Sequence, residues 1–536
     1  MGIFINWQTT LECALIAAAF ACLLTLISFR ILGALQGLGY SGKKLFSWAG
    51  RKSNLAQARF SVLALCTLLS SSVVALCFGF AGAHWAAIIG LAGFLIFFVL
   101  YLVADARKTV NAGATLTPRF KRLLATVWLT YAILIYLSVT LLNFAEYVWE
   151  AGLFATLKYG ALSLFPLAVL PVCALANLIT LIWEAPINAK YVKRAKAALA
   201  EAKKRGLKVV GITGSFGKTS AKNVLAAMLS EKYRVLTTPS SYNTPLGIAR
   251  TVNGANLADY DVFIAEMGAR NVGDVAELCR LCAPDYSLLT GVCPQHLESF
   301  KTVENIVRAK GEIIAGTADK TFVAASCYGY YKNEQKAERC DCLSEVKADC
   351  TGTEFTLTLG GGTRRVKTVL LGAHCADNIA LCAQAAYAAG VGLDEIAAAI
   401  SSLQFVEHRL QLLKSNGVNI LDDGYNSNVL GAKAAIEVLR SFGGKKIAVT
   451  PGLVELGVLE ESENEALGGE LVGLDYIILV GETLVRAIER GYIAAGGDAE
   501  KITVVPTLQS AQEVLKGIIS SGDCVLFLND LPQNIY

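Results

Sequence analysis

Charge is scarce in this chain: 17% of its 536 residues are Asp, Glu, Lys or Arg, against about 25% in ordinary soluble domains. The scarcity is local. Residues 1–183 hold twelve of the 48 Lys and Arg and only four of the 44 acids, namely Glu12, Asp105, Glu146 and Glu150. The remainder is charged like an ordinary globular protein and leans acidic. The overall net charge of +4 therefore averages two unlike regions and gives no reason to expect nucleic-acid binding. With 11 Pro, 48 Gly and 54% hydrophobic residues, collagen and intrinsic disorder are excluded, and the length excludes a small disulfide scaffold. No basic segment or small-residue cleavage site precedes the first apolar run, so a removed leader is not expected.

Long apolar runs occupy the charge-poor third. Five are long enough for a bilayer, which needs about 20 helical residues: Leu11–Leu32, Phe60–Phe80, Trp85–Ala104, Leu123–Leu142 and Gly160–Trp183. Glu12 lies at an end of the first, where its carboxylate can reach the interface. The connections alternate. The first carries Arg30, Lys43, Lys44, Arg51, Lys52 and Arg59 without an acid, and the third carries Arg107, Lys108, Arg119, Lys121 and Arg122 against Asp105. The second is a short Gly-Ala-His turn, and the fourth sets Glu146 and Glu150 against Lys158. Basic connections face the cytoplasm. This predicts a multi-pass membrane region (1–184) with its N-terminus outside and everything after Trp183 in the cytoplasm. A basic juxtamembrane linker helix follows at 185–207, with Lys190, Lys193, Arg194, Lys196, Lys203, Lys204 and Arg205 either against anionic membrane lipids or solvated. The 15 cysteines, an odd number, are expected to be reduced thiols there. Cys279 and Cys282 read as buried residues of an amphipathic helix rather than zinc ligands.

Beyond residue 206 short β-rich runs alternate with helical stretches, as in parallel α/β domains. Lys208–Thr213 reads as a strand, Gly214-Ser-Phe-Gly-Lys-Thr-Ser220 as a turn and Ala221–Glu231 as a helix. That is the setting of a phosphate-binding loop, although Ile212 stands where the common pattern has its first glycine. Glycines let backbone N–H groups converge on phosphate at a helix N-terminus. Lys218 would reach the β/γ-phosphates of ATP and Thr219 would offer its hydroxyl to Mg2+. A second strand is expected over Asp261–Gly268, carrying Glu266, and a third in Leu288–Glu298 with His296 just past its end. Ligands of open α/β sheets collect at such strand ends.

These motifs resemble the Mur ligases, ATP-dependent amide-forming enzymes of cell-wall synthesis, and most of all the branch that adds D-alanyl-D-alanine to UDP-N-acetylmuramoyl-tripeptide. The likeness rests on ITGSFGKTS from Ile212, AEMGAR from Ala265, PQHLESFKTVENIVRAKGEII from Pro294 and LDDGYNSN from Leu421. YNTPLG from Tyr242, Gly372 with His374 and Asn378, and LVELG from Leu453 add to it. The resemblance implies a P-loop central domain with a parallel sheet (208–405) and a Rossmann-like α/β C-terminal domain (406–536). It further implies that Gly214, Ser215, Phe216, Gly217, Lys218, Thr219 and Ser220 bind the ATP phosphates. Thr219 and Glu266 would hold one Mg2+, and His296 would help hold a second. Lys310 would be carbamylated to ligate metal; without the family, Lys310 and Glu312 would read as an ordinary helix surface. Asn378 would lie on the adenine side, and Arg409 and Asp423 would close over ATP.

Three departures concern substrates. The apolar region stands where the family grips the UDP-sugar. Val429 follows Asn428 where the branch has N-P, and Leu528-Asn-Asp-Leu531 replaces a K-G-S-R turn. The expectation is a membrane-anchored ligase joining an amino acid or short peptide to a carboxylate acceptor, possibly UDP- or lipid-linked. The alternatives are D-alanyl-D-alanine addition to the soluble nucleotide precursor, or an ATP-driven transporter or sensor.

Overall fold

The computed structural model describes residues 7–50, 114–149, 164–240, 242–425, 428–481 and 484–529, with 62, 95, 96, 98, 99 and 103 as isolated positions. The chain divides into two compact units, one reaching Ile187 and the other spanning Asn188–Leu531.

In the first unit, helices Trp7–Gly37 and Pro118–Trp149 pack along matched stripes. Ala17, Ala21, Leu24, Ile27, Ile31 and Leu35 on one, and Phe120, Leu123, Val127, Tyr131 and Ile135 on the other, recur every three or four residues and are buried. The outward faces are apolar too: Leu15, Leu26, Leu129, Leu137 and Leu141 are exposed. A helix hydrophobic on all sides fits an apolar solvent. Thr10–Gly37, Pro118–Ala145 and Phe165–Lys204 are long and apolar enough to cross a membrane. They take in the first and fourth runs read from the sequence and the fifth from Phe165 onward. Nearly all of the runs at Phe60–Phe80 and Trp85–Ala104, the whole second connection and parts of the first, third and fourth lie outside the described residues.

The stretch read as a linker helix over 185–207 is helical to Lys204 and continuous with the last apolar run. One helix, Val169–Lys204, runs through that boundary with Pro186 inside it. The proline removes one backbone donor, but helix-forming residues on both sides carry the helix past it. Lys203 is not left facing solvent: it pairs with Asp285 at 3.1 Å.

The second unit holds two parallel-rich sheets. The first has strands β1 (Lys208–Thr213), β2 (Val235–Thr237), β3 (Val262–Glu266), β4 (Tyr286–Leu289), β5 (Thr321–Ala324) and β6 (Ala337–Cys340), in the order β2-β3-β1-β4-β5-β6. Its central strands are apolar on both faces, as a sheet covered by helices requires. Phe263, Ile264 and Leu288 are fully buried, each contributing about 1.5–3 kcal/mol by leaving water. An antiparallel sheet follows, of β7 (Leu343–Asp349), β8 (Gly352–Leu359) and β9 (Gly362–Thr368). The last comprises β10 (Gln411–Ser415), β11 (Val418–Asp423), β12 (Lys446–Thr450), β13 (Tyr476–Val480), β14 (Ile502–Val505) and β15 (Cys524–Leu528), in the order β10-β11-β15-β12-β13-β14. Within it only β10 runs antiparallel to its neighbour.

The third strand is shorter than the sequence suggests. β4 stops at Leu289, and His296 lies beyond it in a left-handed conformation (φ 54°) ahead of the short helix Leu297–Phe300. The apolar run continues past Leu289, but Gly291 and Pro294 end the ladder.

Candidate active site

Register brings the site together. β1 pairs with β3 so that Ile212 faces Glu266, and with β4 so that Thr213 faces Leu289. The three strands therefore release their loops at one edge. The turn after β1 is braced from β4: Ser215 N–H donates to the Gly291 carbonyl (2.8 Å), and the Thr290 hydroxyl donates to the Phe216 carbonyl. Gly217 (φ 75°) begins helix Lys218–Ser230 in a left-handed conformation, and a Cβ there would stand 2.7 Å from Asn378 Oδ1. Only glycine meets both demands.

A cavity of about 520 Å³ opens over this loop. Ser215, Phe216, Gly217, Lys218, Thr219, Ser220, Glu266, His296, Lys310 and Arg409 all line it. Gly214, Asn378 and Asp423 do not. Gly214 lies beneath the loop against Thr290, Asn378 packs against Gly217 from helix His374–Ala388, and Asp423 accepts from the Leu410 N–H (3.1 Å). Arg409 reaches the cavity from the second α/β region, its guanidinium 4.3 Å from the Tyr425 ring centroid and bonded to the Tyr425 carbonyl.

Glu266 is 2% exposed, and three partners hold its carboxylate. It accepts from the Thr219 hydroxyl (3.1 Å) and the Asn243 amide (3.1 Å), and pairs with Lys222 Nζ (3.1 Å). Sequence reasoning missed Lys222. It is buried and also donates to the carbonyls of Thr238 and Ser240. A signal was present: Lys222 falls among Ala221, Val224, Leu225, Met228 and Leu229, which together form the buried face of its helix. A lysine interrupting an apolar face needs an acid partner. Asn243 belongs to the YNTPLG segment but had been given no role.

Lys310 is 3% exposed on helix Val303–Gly316, and its ammonium lies 5.7 Å from the Phe300 ring centroid. Burial, reinforced by the charge of Lys218, lowers its pKa to about 7. The surface-pair alternative does not hold. Glu312 points elsewhere, accepting from the N–H groups of Gly273 (2.7 Å) and Ala276 (3.0 Å) at the start of helix Asp274–Cys282. Lys218 bonds to the Gly214 (2.7 Å) and Ser215 (3.2 Å) carbonyls, and burial lowers its pKa against the opposing charge of Glu266. Burial likewise pushes the nearby Cys293 thiol up to about 12.

His296 Nδ1 meets the carboxylate of Glu455, which stands in the loop after β12. Among the described residues no three His, Cys, Asp or Glu side chains gather as a ready-made metal centre. Cys279 and Cys282 are buried with raised pKa values, as inert thiols are. The oxygen donors Thr219 and Glu266 nevertheless suit Mg2+, which keeps one or two protein ligands and takes others from phosphate and water.

Residues 212–386 match the Mur ligase middle domain, and 408–529 match the Mur ligase glutamate ligase domain. UDP-N-acetylmuramoyl-tripeptide–D-alanyl-D-alanine ligase of Escherichia coli (strain K12) is 29% identical over 293 residues, covering 51% of this chain and 65% of that protein. The Bacillus subtilis (strain 168) enzyme of the same name is 29% identical over 357 residues, covering 62% and 74%. The chain thus spans just under two thirds of the E. coli relative. Among solved structures, MurF ligase from Thermotoga maritima in complex with ADP superimposes with a TM-score of 0.58 at 26% identity, over 65% of this chain and 81% of that one. Residues 1–211 lie outside both family domains.

Proposed function

From its membership of the Mur ligase family, carried by residues 212–386 and 408–529, we propose that this chain is an ATP-dependent amide ligase of the D-alanyl-D-alanine-adding type. We place its catalytic domains at 208–405 and 406–536 and its anchor in the apolar helices of 1–184. The observation that carries the reading is Lys310, a buried lysine with a pKa near 7 in the same cavity as a phosphate-binding loop and Glu266.

A substrate carboxylate oxygen attacks the γ-phosphorus of ATP, ADP departs, and an acyl phosphate forms. The amine of the second substrate then attacks the acyl carbon. Phosphate leaves with the bonding pair and the amine gives up a proton. Catalysis of the first step is mostly positioning and charge stabilisation. The Gly214–Ser220 loop cradles the phosphates, and Lys218 exchanges its loop carbonyls for phosphate oxygens. Thr219 and Glu266 would hold one Mg2+, with His296 and Lys310 at a second; the ions would neutralise phosphate charge. Lys310 is suited to carbamylation because a neutral amine attacks CO2, and at a pKa near 7 much of it is neutral. Lys222 and Asn243 keep the Glu266 carboxylate aimed at Thr219, while Arg409 covers the nucleotide.

The carboxylate substrate is a cell-wall peptide precursor, UDP- or lipid-linked, and the amine is an amino acid or dipeptide. A membrane-proximal acceptor accounts for the anchor, which we read as five crossings with the N-terminus outside. The test is to supply the purified full chain with ATP, Mg2+, bicarbonate, a tripeptide-bearing precursor and D-alanyl-D-alanine. ADP and phosphate should appear only with both substrates present, alongside a new amide seen by mass spectrometry. ATP turnover coupled to solute movement without an amide would instead support the transporter reading.

A further inference from the structure

The LVELG segment from Leu453 has no part in the chemistry described so far, yet buried side chains hold it at several points. It leaves the C-terminal end of β12, where the Gly452 N–H donates to the Thr450 hydroxyl (3.1 Å). Buried Asn464 grips Leu453 twice, accepting from its N–H and donating to its carbonyl, both at 2.9 Å. Buried Asn529, just past β15, donates to the Gly452 carbonyl at 2.7 Å. Glu455 stands at the tip of this loop in a left-handed conformation (φ 64°) that a non-glycine residue adopts only when its surroundings hold it there. Its carboxylate crosses to the first α/β region. There it meets His296 Nδ1 and lies 3.7 Å from Arg270, while its carbonyl accepts from the Leu297 N–H (3.0 Å).

We propose that Glu455 is a positioning residue for His296, and that the cation position served by His296 is complete only while the C-terminal region is closed against the central one. This rests on the reading of His296 as a cation ligand. The Glu455 carboxylate occupies the Nδ1 side of the ring, which leaves Nε2 as the nitrogen available to a cation in the cavity that His296 lines. Such outer partners orient ligating histidines and raise their basicity. What sets this arrangement apart is that the carboxylate comes from the other sheet. Opening would withdraw Glu455 and release the ring, so cation binding and closure favour one another by the same factor.

The probe is Mn2+, counted by electron paramagnetic resonance on the full chain with a non-hydrolysable ATP analogue. Glu455→Gln keeps the size of the side chain and should weaken one of two Mn2+ sites by about 10–100-fold, leaving nucleotide affinity unchanged. His296→Ala should remove that site, and the double variant should bind Mn2+ no worse than His296→Ala alone. Asn529→Ala loosens the loop without touching the histidine and should give a smaller loss of the same site; it carries the test if Glu455→Gln does not fold. Loss of the site in His296→Ala, with full Mn2+ affinity in Glu455→Gln and Asn529→Ala, would overturn the proposal alone. Two unaltered sites in His296→Ala would overturn the reading of His296 beneath it.

Discussion

The two units bury polar groups in opposite ways. In the apolar helices the hydroxyls turn back on their own helix: Thr25 donates to the Ala21 carbonyl, Ser28 to Leu24, Thr130 to Thr126 and Thr180 to Ala176, each at 2.6–2.7 Å. Across helices, Ser28 meets Tyr131 at 3.1 Å, and one ion pair, Arg122 with the buried Glu184 at 2.5 Å, meets its charge within the unit. Around the phosphate loop, by contrast, Lys218, Lys222, Lys310 and Glu266 crowd one small region. Lys218 and Lys222 both stand against the buried carboxylate of Glu266, an arrangement with positive charge still to be met at the loop, and ATP would meet it. A polar group satisfied by its own helix serves the fold, whereas a surplus of buried cations anticipates an anion.

Four measurements would sharpen or break that contrast. The largest effect should come from Lys222→Met, which leaves Glu266 buried without its cation; denaturant unfolding should show a loss of about 3–5 kcal/mol. A loss below 1 kcal/mol would mean that Asn243 and Thr219 suffice.

Lys310→Ala comes next. Ligation should fall by about 10²–10³-fold while the affinity for an ATP analogue stays within a few-fold, and added short-chain carboxylates should restore part of the rate. Near-normal ligation would remove Lys310 from the machinery.

A third effect is on stability against pH in CO2-free buffer. The folded-state pKa of Lys310, about 7, lies below its ordinary 10.5. Below pH 7 both states hold the proton, and the folded chain bears the full cost of the buried charge. Between about 7 and 10.5 the folded chain releases the proton first, so this cost shrinks as pH rises. Lys310→Met should therefore stabilise the protein most at or below pH 7, on the order of 1–3 kcal/mol after lost contacts, with the gain fading toward pH 10. A gain independent of pH would point to packing instead.

The smallest effect should be Ser28→Ala in the helical unit. Hydrogen bonds between apolar helices average about 0.6 kcal/mol, so unfolding in detergent should change by no more than roughly that.

Much of the site could be read from sequence because it is local. Gly214 to Ser220 announce a turn between a strand and a helix, and Glu266 falls at a strand end, whatever surrounds them. Lys310 was different. Its neighbours permit either a buried or an exposed helix face, and only the packing of Val303–Gly316 on the cavity decides. His296 was placed too near its strand because apolar residues past Leu289 look like strand, while the termination depends on the braced phosphate loop. Glu455 and Asn529 take their roles from partners far away in the chain, and no local pattern records such pairings. In the apolar third the periodicity yielded the helix faces directly, since Leu123, Val127, Tyr131 and Ile135 mark one stripe.

The order of strands in the last sheet bears on how the protein is made. β15, the latest strand in sequence, lies at the sheet's centre between β11 and β12. The first sheet needs nothing beyond Cys340 to complete its ladder. A growing chain can thus finish its phosphate-binding half early, whereas the other half must wait for residue 528 with the facing edges of β11 and β12 unpaired. Domains fold as units during synthesis, and open strand edges invite foreign pairing. Until β15 arrives, then, those two edges stand open to pairing with another chain.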